Sequence, residues 1–243
     1  MNYSFLQCGE GALTVHLGDG IDPAINRRVT ALQGAIGSAG LRGITDLIPA
    51  YADLTVCYDC TVISAKALQR QLRRLLDSLS VAGQDRRRVF RLPVCYGGDY
   101  GPDLDFVCHH SGLSAQEVIA LHSAPDYLIY MLGFLPGFAY LGGLDPRLHT
   151  PRLDSPRTCI PAGSVGIGGA QTGVYPLASP GGWQLLGRTP VSVFDRQRQE
   201  PILYRAGDLV HFVPISPAEY EEIDRAVAAG TYTVQVEEVP VCD

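Results

Sequence analysis

The segment from Gly133 to Pro190 constrains the fold of this chain more than any other part of the sequence. It holds 12 of the 27 glycines and 8 of the 17 prolines, and the apolar residues between them show no long helical period. Glycine and proline break helices and shape turns, so such a stretch favours short strands joined by tight turns. We therefore predict a β-barrel or sandwich in the second half of the chain. Helices are predicted at about Ser114–His122 and Pro217–Ala229, each with a capping residue before it or a glycine after it.

The first part of the chain has the pattern of a small α+β domain. Six elements are predicted in order: a strand over Ala12–Leu17, a helix from Asp22 to about Gly37, two strands within Leu47–Ile63, a helix over Ala65–Ser78 and a strand over Val89–Cys95. This order is typical of a two-layer βαββαβ sandwich. The polar, arginine-rich stretch from Gln84 to Arg91 marks a boundary, so the predicted domains are 1–86 and 87–243.

Composition and charge exclude several classes of protein. Apolar runs fall short of the ~20 residues that a bilayer-spanning helix needs, and Met1–Leu17 lacks the basic start and apolar core of a signal peptide. The net charge is −6 and the arginines form no long basic run, so nucleic acid is not an expected partner. Seven cysteines, an odd number without a secretion signal, favour reduced thiols. We expect a cytoplasmic protein with no membrane and no nucleic-acid partner.

Several short motifs resemble catalytic or metal-binding signatures but lack an essential member. Cys57 and Cys60 form a CxxC pair without the second pair that zinc needs, which favours buried thiols over a redox or metal site. The only lysine, Lys66, is followed by alanine, so there is no phosphate-binding GxxxxGK[ST] loop. Gly166–Gln171 lacks the third glycine of a dinucleotide loop and favours a turn. The segment around Ser164 lacks the first glycine of a nucleophile elbow, so this serine is interpreted as a hydroxyl donor.

Polar side chains that could hold an anion lie in the glycine-rich segment. Arg152 and Arg157 each follow a proline, which stiffens the backbone, and a guanidinium can bind a carboxylate through two parallel hydrogen bonds. Gln171, Thr172 and Tyr175 lie in a glycine-containing turn, where backbone amides can approach a ligand closely. The alternative for the two arginines is a pair of salt bridges between barrel loops.

Trp183 and His122 each have two interpretations. Trp183, the only tryptophan, is either a core residue, which is favoured, or a flat wall for a ring-shaped ligand. His122 ends the short predicted helix, where it either transfers a proton near neutral pH or stabilises the helix C-terminus. His109 and His110 have no acidic residue or cysteine at ligand spacing, so no metal site is predicted.

The ordered motifs of the second half resemble those of one protein family. In chain order they are Val94–Gly98, Gly101–Leu104, Gly133–Leu144, Pro151-Arg152, Pro156-Arg157, Pro161–Ser164, Gln171–Pro176, Ser179–Trp183, Gly187–Pro190 and Gly207-Asp208. Such a series is specific, and it is similar to the family of the 5-oxoprolinase B subunit, also called the KipI or allophanate hydrolase subunit one family. Over residues 1–79 the similarity is one of pattern and order.

The resemblance implies a ferredoxin-like N-terminal domain and a cyclophilin-like β-barrel, in agreement with the periodicity. It implies a small-molecule substrate, a homologous C subunit and an A subunit of another fold, with which the chain opens 5-oxo-L-proline to L-glutamate while ATP is hydrolysed. The chain alone is expected to be inactive. ATP is used by the complex at a site that this chain does not reveal, and no metal or biotin carrier is evident. Two alternatives stay open: a KipI-like inhibitor of a histidine kinase, and the carboxyltransferase half of a urea carboxylase or allophanate system.

The chemistry that the resemblance implies needs groups that hold a carboxylate and stabilise developing charge on oxygen. We expect His122 and Arg157 to be catalytic, with His122 transferring a proton. The expected substrate-binding residues, taken from residue type and motif position, are Arg152, Ser164, Gln171, Thr172 and Tyr175.

Overall fold

The computed structural model describes residues 3–79 and 86–240, which form two compact units. The described residues up to 79 belong to the first unit, and those from 86 onward belong to the second. Within these ranges no helix is both long and apolar enough to cross a membrane.

The first unit packs two helices against a four-stranded antiparallel sheet with the strand order β1-β2-β4-β3. Its elements are β1 (Ser4–Cys8), β2 (Ala12–His16), α1 (Pro23–Ala39), β3 (Ile44–Pro49), β4 (Asp53–Tyr58) and α2 (Ala65–Asp77). Alternate residues of the two central strands point to one face, as the period of a strand requires. The resulting core contains Leu13, Val15, Val29, Leu32, Leu54, Val56, Leu68 and Leu72.

Both helices of the first unit begin where the sequence predicts. Asp22 accepts a hydrogen bond from the backbone of Ala24 at the start of α1, and Ser64 accepts one from Ala67 at the start of α2. These side-chain oxygens satisfy backbone donors that the first turn of a helix leaves free. Gly40 ends α1 in the left-handed conformation that favours glycine.

The element order of the first unit differs from the predicted βαββαβ pattern at both ends. A strand that was not predicted, β1, precedes β2, and the strand predicted at Val89–Cys95 lies in the second unit. β1 is an edge strand whose residues are mostly exposed, so it lacks the apolar alternation that marks a half-buried strand. Phe90, Leu92 and Val94 are instead buried in the core of the second unit.

The second unit is a seven-stranded β-barrel with three helices and additional strands. Its elements are β5 (Arg86–Tyr96), α3 (Leu104–Ser111), α4 (Ala115–Ser123), β6 (Tyr127–Leu132), β7 (Ala139–Gly142), β8 (Arg157–Ile160), β9 (Ser164–Gly168), β10 (Gln171–Val174), β11 (Ser179–Gly181), β12 (Gln184–Arg188), β13 (Leu209–Ile215), α5 (Pro217–Ala228) and β14 (Gln235–Pro240). The strands follow the order β12-β9-β10-β7-β6-β13-β5, and β12 also pairs with β5. This ring confirms the β-barrel predicted from the glycine-rich and proline-rich segment.

Strand β5 has three neighbours because it is long enough to pair with different strands along one edge. It runs parallel to β13 on one side, while β14 pairs with its first half on the other side. The end of that second edge pairs with β12, through Gly187 opposite Tyr96 and Arg188 opposite Cys95. This short pairing closes the barrel.

The helices predicted in the second half are confirmed. α4 begins after Ser114 with a capping box to Glu117, and α5 begins after Ser216 with a capping box to Glu219. α3 was not predicted. Its outward residues include Phe106, His109 and His110, so its sequence carries only a weak apolar stripe.

Two glycines let neighbouring segments approach β12 closely. A Cβ added at Gly187 would lie 2.5 Å from the carbonyl oxygen of Cys95. A Cβ added at Gly101, in the loop before α3, would lie 1.8 Å from the carbonyl oxygen of Leu186. The backbone would have to move to accept either side chain, so glycine is required where the barrel closes.

Substitution of Gly101 by alanine is expected to destabilise the barrel by about 3 kcal/mol or more, because the added methyl group overlaps backbone atoms of β12. Gly34→Ala is the control: Gly34 lies in α1 with open space around it, and alanine there is expected to stabilise the helix by up to about 1 kcal/mol. Thermal unfolding combined with hydrogen exchange of barrel amides measures both effects. Equal stability of the two variants would contradict this account.

Candidate functional site

A cavity of about 360 Å³ opens on the outer wall of the barrel. Val165 and Ile167 of β9 belong to the barrel core, and Gly168 faces the other way. A Cβ at Gly168 would lie 2.3 Å from the indole nitrogen of Trp183, so the tryptophan covers the outer face of β9. The cavity is lined by Phe134, Phe138, Tyr140, Arg152, Leu153, Pro156, Tyr175, Pro180, Gly181, Gly182 and Trp183.

Trp183 is both a buried residue and a wall of this cavity. Its ring packs edge-on against Phe138 and Tyr175, with ring centroids 5.6 and 6.1 Å apart. These three residues form, with Ile160 and Leu185, a small apolar cluster separate from the barrel core. Trp183 therefore packs in a buried cluster, as the sequence favours, and the same side chain lines the cavity.

Arg152 is exposed at the cavity and makes no hydrogen bond or ion pair with the residues that the structure describes. The backbone on both sides of it is fixed. The Pro151 carbonyl accepts a hydrogen bond from Nε2 of Gln184 at 3.0 Å, and the Leu153 amide donates to the carbonyl of Gly182 at 2.7 Å. An arginine held in this way presents an available guanidinium from a rigid support.

Arg157 is already paired. Its Nη2 donates to Oδ1 of Asp103 at 2.6 Å, and its Nη1 donates to the carbonyl oxygen of Trp183 at 3.3 Å. The other carboxylate oxygen of Asp103 accepts a hydrogen bond from the amide of Leu185 at 2.7 Å. The salt-bridge alternative thus describes Arg157 and not Arg152.

Asp103 is a residue whose role the sequence interpretation missed. It joins β8, through Arg157, to the backbone of β12 behind the cavity wall. The signal available in the sequence was its place in the Gly101–Leu104 motif. The glycine that begins this motif packs directly against Leu186 of β12. Nothing in the local sequence identifies an arginine 54 residues away as its partner.

Tyr175 lies at the cavity wall and is almost completely buried. Burial raises the pKa of its phenol, while a hydrogen bond from the Trp183 backbone and the charges of Arg152 and Arg157 act in the opposite direction. The phenol is therefore neutral at physiological pH. A Cβ at Gly181 would lie 2.6 Å from the Tyr175 oxygen, so glycine leaves room for the hydroxyl at this position.

His122 lies inside the barrel, completely buried. Its Nε2 is 2.7 Å from Oγ1 of Thr172 and its Nδ1 is 2.8 Å from the hydroxyl of Tyr96. Thr172 donates its own proton to the carbonyl of Gly166, so it must accept one from Nε2, and Tyr96 must then donate to Nδ1. Burial lowers the pKa of His122 to about 3, and its ring stacks on Phe212. Both ring nitrogens are occupied, and the imidazole is neutral.

Ser164 and Gln171 lie in the barrel wall and do not line the cavity. The Ser164 hydroxyl is buried without a hydrogen-bond partner among the described residues, and the residue pairs with Arg188 of β12. Gln171 is half-buried opposite Gly168. Of the seven predicted site residues, the structure brings Arg152 and Tyr175 to the cavity and places Arg157 beside it.

The other chemistry-bearing residues considered from the sequence form no cluster. Cys57 is half-buried in β4 and Cys60 is exposed in the turn that follows, both as free thiols. Over residues 3–79 and 86–240, no group of three or more histidine, cysteine or acidic side chains could hold a metal ion.

Comparison with known proteins defines the class of this chain. The family model described as carboxyltransferase domain, subdomain C and D, matches residues 3–204. The 5-oxoprolinase B subunit of Bacillus subtilis (strain 168) is 42% identical over 230 residues, which cover 90% of this chain and 96% of that protein. The chain belongs to the family of the 5-oxoprolinase B subunit.

Solved structures agree with this assignment at the level of the fold. The protein TTHA0988 superimposes with a TM-score of 0.74 and 41% sequence identity. The match covers 84% of this chain and 40% of the longer TTHA0988 chain. The urea amidolyase of K. lactis superimposes with a TM-score of 0.83 over 98% of this chain and 16% of that protein. At 23% identity, the second likeness supports the fold alone.

The buried His122 makes the stability of the barrel depend on pH. Because its folded pKa of about 3 is below the ordinary value of 6.5, the unfolded chain binds a proton that the folded chain does not bind. This contribution is complete above pH 6.5 and is lost as the pH falls, by up to about 1.4 kcal/mol per pH unit. We expect His122→Gln, which cannot titrate, to be less stable at pH 7 and to show a shallower loss of stability between pH 6.5 and 4.5.

The matched control for this pH series is His149→Gln, since His149 is exposed. It is expected to keep the acid slope of the unsubstituted protein in urea unfolding. Parallel curves for His122→Gln and the unsubstituted protein would show that His122 does not carry the effect.

The Asp103–Arg157 pair is expected to stabilise the cavity wall. The two side chains are only 12% and 30% exposed, so removal of one leaves the other partly buried and unpaired. We expect Asp103→Asn and Arg157→Gln each to lower the free energy of unfolding by about 1–3 kcal/mol, and the double variant to lose less than the sum. Urea unfolding of the four proteins measures the coupling. Strict additivity would mean that the pair contributes no interaction energy.

Proposed function

We propose that this chain is the B subunit of an ATP-dependent 5-oxoprolinase, which opens 5-oxo-L-proline to L-glutamate together with an A and a C subunit. The observation that carries the proposal is the match to a named 5-oxoprolinase B subunit over nearly the whole length of both proteins. A match of that extent includes every segment that forms the cavity, from Phe134 to Trp183. The relative is named as one subunit of an enzyme, which supports a catalyst that is incomplete in this chain alone.

The proposed reaction accounts for the polar groups of the cavity. A lactam is a stable amide, and phosphorylation of its carbonyl oxygen by ATP releases ADP and makes the carbonyl carbon electrophilic. Water adds to that carbon, the ring C–N bond breaks to give an acyl phosphate, and a second water releases phosphate and glutamate. The enzyme must hold the substrate carboxylate and stabilise charge that develops on oxygen. Arg152 supplies a cation and Tyr175 a neutral hydroxyl. This chain has no GxxxxGK[ST] loop for ATP, because its single lysine, Lys66, is followed by alanine.

We propose different tasks for the remaining predicted site residues. Arg157 holds the cavity wall through Asp103 and reaches the substrate at most through its charge. His122 and Thr172 order the barrel interior, because the imidazole is buried, neutral and hydrogen-bonded at both nitrogens. This geometry does not favour the expected role of His122 in proton transfer. Ser164 and Gln171 shape the strands behind the cavity.

We also propose that the first unit is a ferredoxin-like domain and that the second, which includes β5 from Arg86 onward, is a cyclophilin-like domain. This division lies close to the predicted domains 1–86 and 87–243. Counted from β2, the elements β2-α1-β3-β4-α2 follow the ferredoxin-like order. The last strand of that fold pairs beside the first, and here β1 occupies the corresponding edge next to β2. The sheet thus has the ferredoxin-like arrangement, with β1 at the edge that the last strand holds in that fold. This arrangement supports the domain assignment although β1 comes first in the chain.

We propose that the complex works in the cytoplasm, where ATP is supplied. The six cysteines among the described residues are all free thiols, which supports a reducing compartment. The required partners, a homologous C subunit and an A subunit, are those expected from the family resemblance.

The test is reconstitution with candidate A and C subunits, followed by measurement of 5-oxo-L-proline-dependent ATP hydrolysis and glutamate release. We expect activity with all three proteins and none when this chain is omitted. Urea replaces 5-oxo-L-proline in a parallel reaction and is expected to give no turnover. Full activity without this chain, or turnover of urea alone, would sink the proposal.

A further inference from the structure

We propose that the aromatic cavity binds the ring and the carboxylate of a small cyclic acid, with Arg152 as the partner of the carboxylate and Phe134 as a ring that covers the ligand. The proposal rests on the function proposed above, in which the cyclic acid is 5-oxo-L-proline. It assigns recognition of the ring and the carboxylate to this chain, and leaves the reacting amide to be completed by the other subunits.

The size and walls of the cavity suit a small ring. Its volume of about 360 Å³ lies near the lower end of the range of about 300–1,000 Å³ that is usual for ligand pockets. Phe138, Tyr175 and Trp183 meet edge-to-face and form part of the apolar lining of the cavity. Because these rings belong to one buried cluster, the walls exist before a ligand arrives.

The charge of the lining selects an anion. Aromatic walls attract cations through the faces of their rings. Here, however, Arg152 contributes a positive charge, and no acidic residue of the described ranges belongs to the lining. A cationic ligand would be repelled, whereas a carboxylate could form two parallel hydrogen bonds with the guanidinium.

Arg152 is prepared for this task and Arg157 is not. The hydrogen bonds from Gln184 to Pro151 and from Leu153 to Gly182 fix the backbone around Arg152, and its guanidinium has no partner in the described chain. Arg157, five residues further along, is held by Asp103. A fixed backbone reduces the conformational entropy that binding would cost.

Tyr175 offers a second polar contact. Its hydroxyl proton has no acceptor in the part of the chain that the structure describes, so it can be donated to an oxygen of the ligand. A ligand with a ring, a carboxylate and a carbonyl oxygen would use all three features of the cavity.

Phe134 has a backbone conformation that is rare for a bulky residue. Its φ is +63°, and the amide of Leu135 donates a hydrogen bond to the carbonyl oxygen of Gly133 at 2.7 Å. Phe134 is therefore the central residue of a γ-turn with positive φ. Such a turn is strained for a bulky residue, and glycine would occupy it without cost. The ring nevertheless lies on the cavity lining, 62% exposed, edge-on to Phe138. Strain of this kind is typical of residues that contact ligands.

The first test compares Arg152→Gln with Arg196→Gln in the reconstituted complex. Both variants lose one positive charge from an exposed arginine, but Arg196 is not part of the cavity lining. We expect Arg152→Gln to raise the KM for 5-oxo-L-proline about tenfold or more, with a smaller change in kcat, because a charged hydrogen-bonded pair is lost. Arg196→Gln should leave both constants unchanged. A KM within twofold of the unsubstituted value for Arg152→Gln overturns the proposal.

The second test compares Phe134→Gly with Phe134→Ala. Both remove the ring, but only glycine relieves the left-handed backbone, so we expect the glycine variant to have the higher Tm. Both should raise the KM for 5-oxo-L-proline severalfold while the subunits still copurify. An unchanged KM, or loss of copurification with the partners, would show that Phe134 does not act as the cover of a ligand.

Failure of this inference can be told apart from failure of the proposed function. If the complete complex hydrolyses ATP with 5-oxo-L-proline but Arg152→Gln leaves the KM unchanged, the proposed function stands and the proposed site is wrong. If the complex is inactive, saturation-transfer NMR of 5-oxo-L-proline and 2-pyrrolidinone with the full chain still tests the cavity. We expect transfer to the acid alone, lost in Arg152→Gln and kept in Arg196→Gln. Equal transfer with both variants, or none with the unsubstituted chain, overturns the inference.

Discussion

The architecture of the second unit depends on the short pairing that closes its barrel, between β12 and the end of β5. That pairing is possible because Gly187 allows the backbone of Cys95 to approach, and Gly101 allows the following loop to lie directly on β12. Once the loop is there, Asp103 accepts a hydrogen bond from the amide of Leu185 and pairs with Arg157 of β8. The cavity on the outer wall therefore lies close to the β12–β5 pairing. The loop that packs on β12 beside this pairing carries Asp103, which also fixes the wall behind the cavity.

The parts of the fold that the sequence predicted are those set by local chemistry. Helix starts followed from Asp22, Ser64 and Ser114, whose side chains cap the first turn whatever the rest of the molecule does. The barrel followed from the density of glycine and proline. The identity of the sheet to which Val89–Cys95 belongs could not be predicted, because a buried strand has the same apolar pattern in either unit. The exposed edge strand β1 has no such pattern at all.

The candidate site shows a similar limit. Motif position correctly drew attention to the segment that forms the cavity, yet Thr172 and Tyr175 point to opposite sides of the barrel wall. A shift of one residue along a strand reverses the direction of a side chain, and a turn-rich sequence does not fix that register. Likewise, Arg152 and Arg157 have the same local context, a preceding proline. Only the distant Asp103 makes one of them structural and leaves the other available.

One feature of β5 bears on how such a domain can be used in larger proteins. Its first residue, Arg86, is paired with Pro240 of β14, so the first and last described residues of the barrel unit lie on neighbouring strands. A module whose two ends lie side by side can be spliced into a longer polypeptide without distortion, because the flanking chain needs to bridge only the spacing between neighbouring strands.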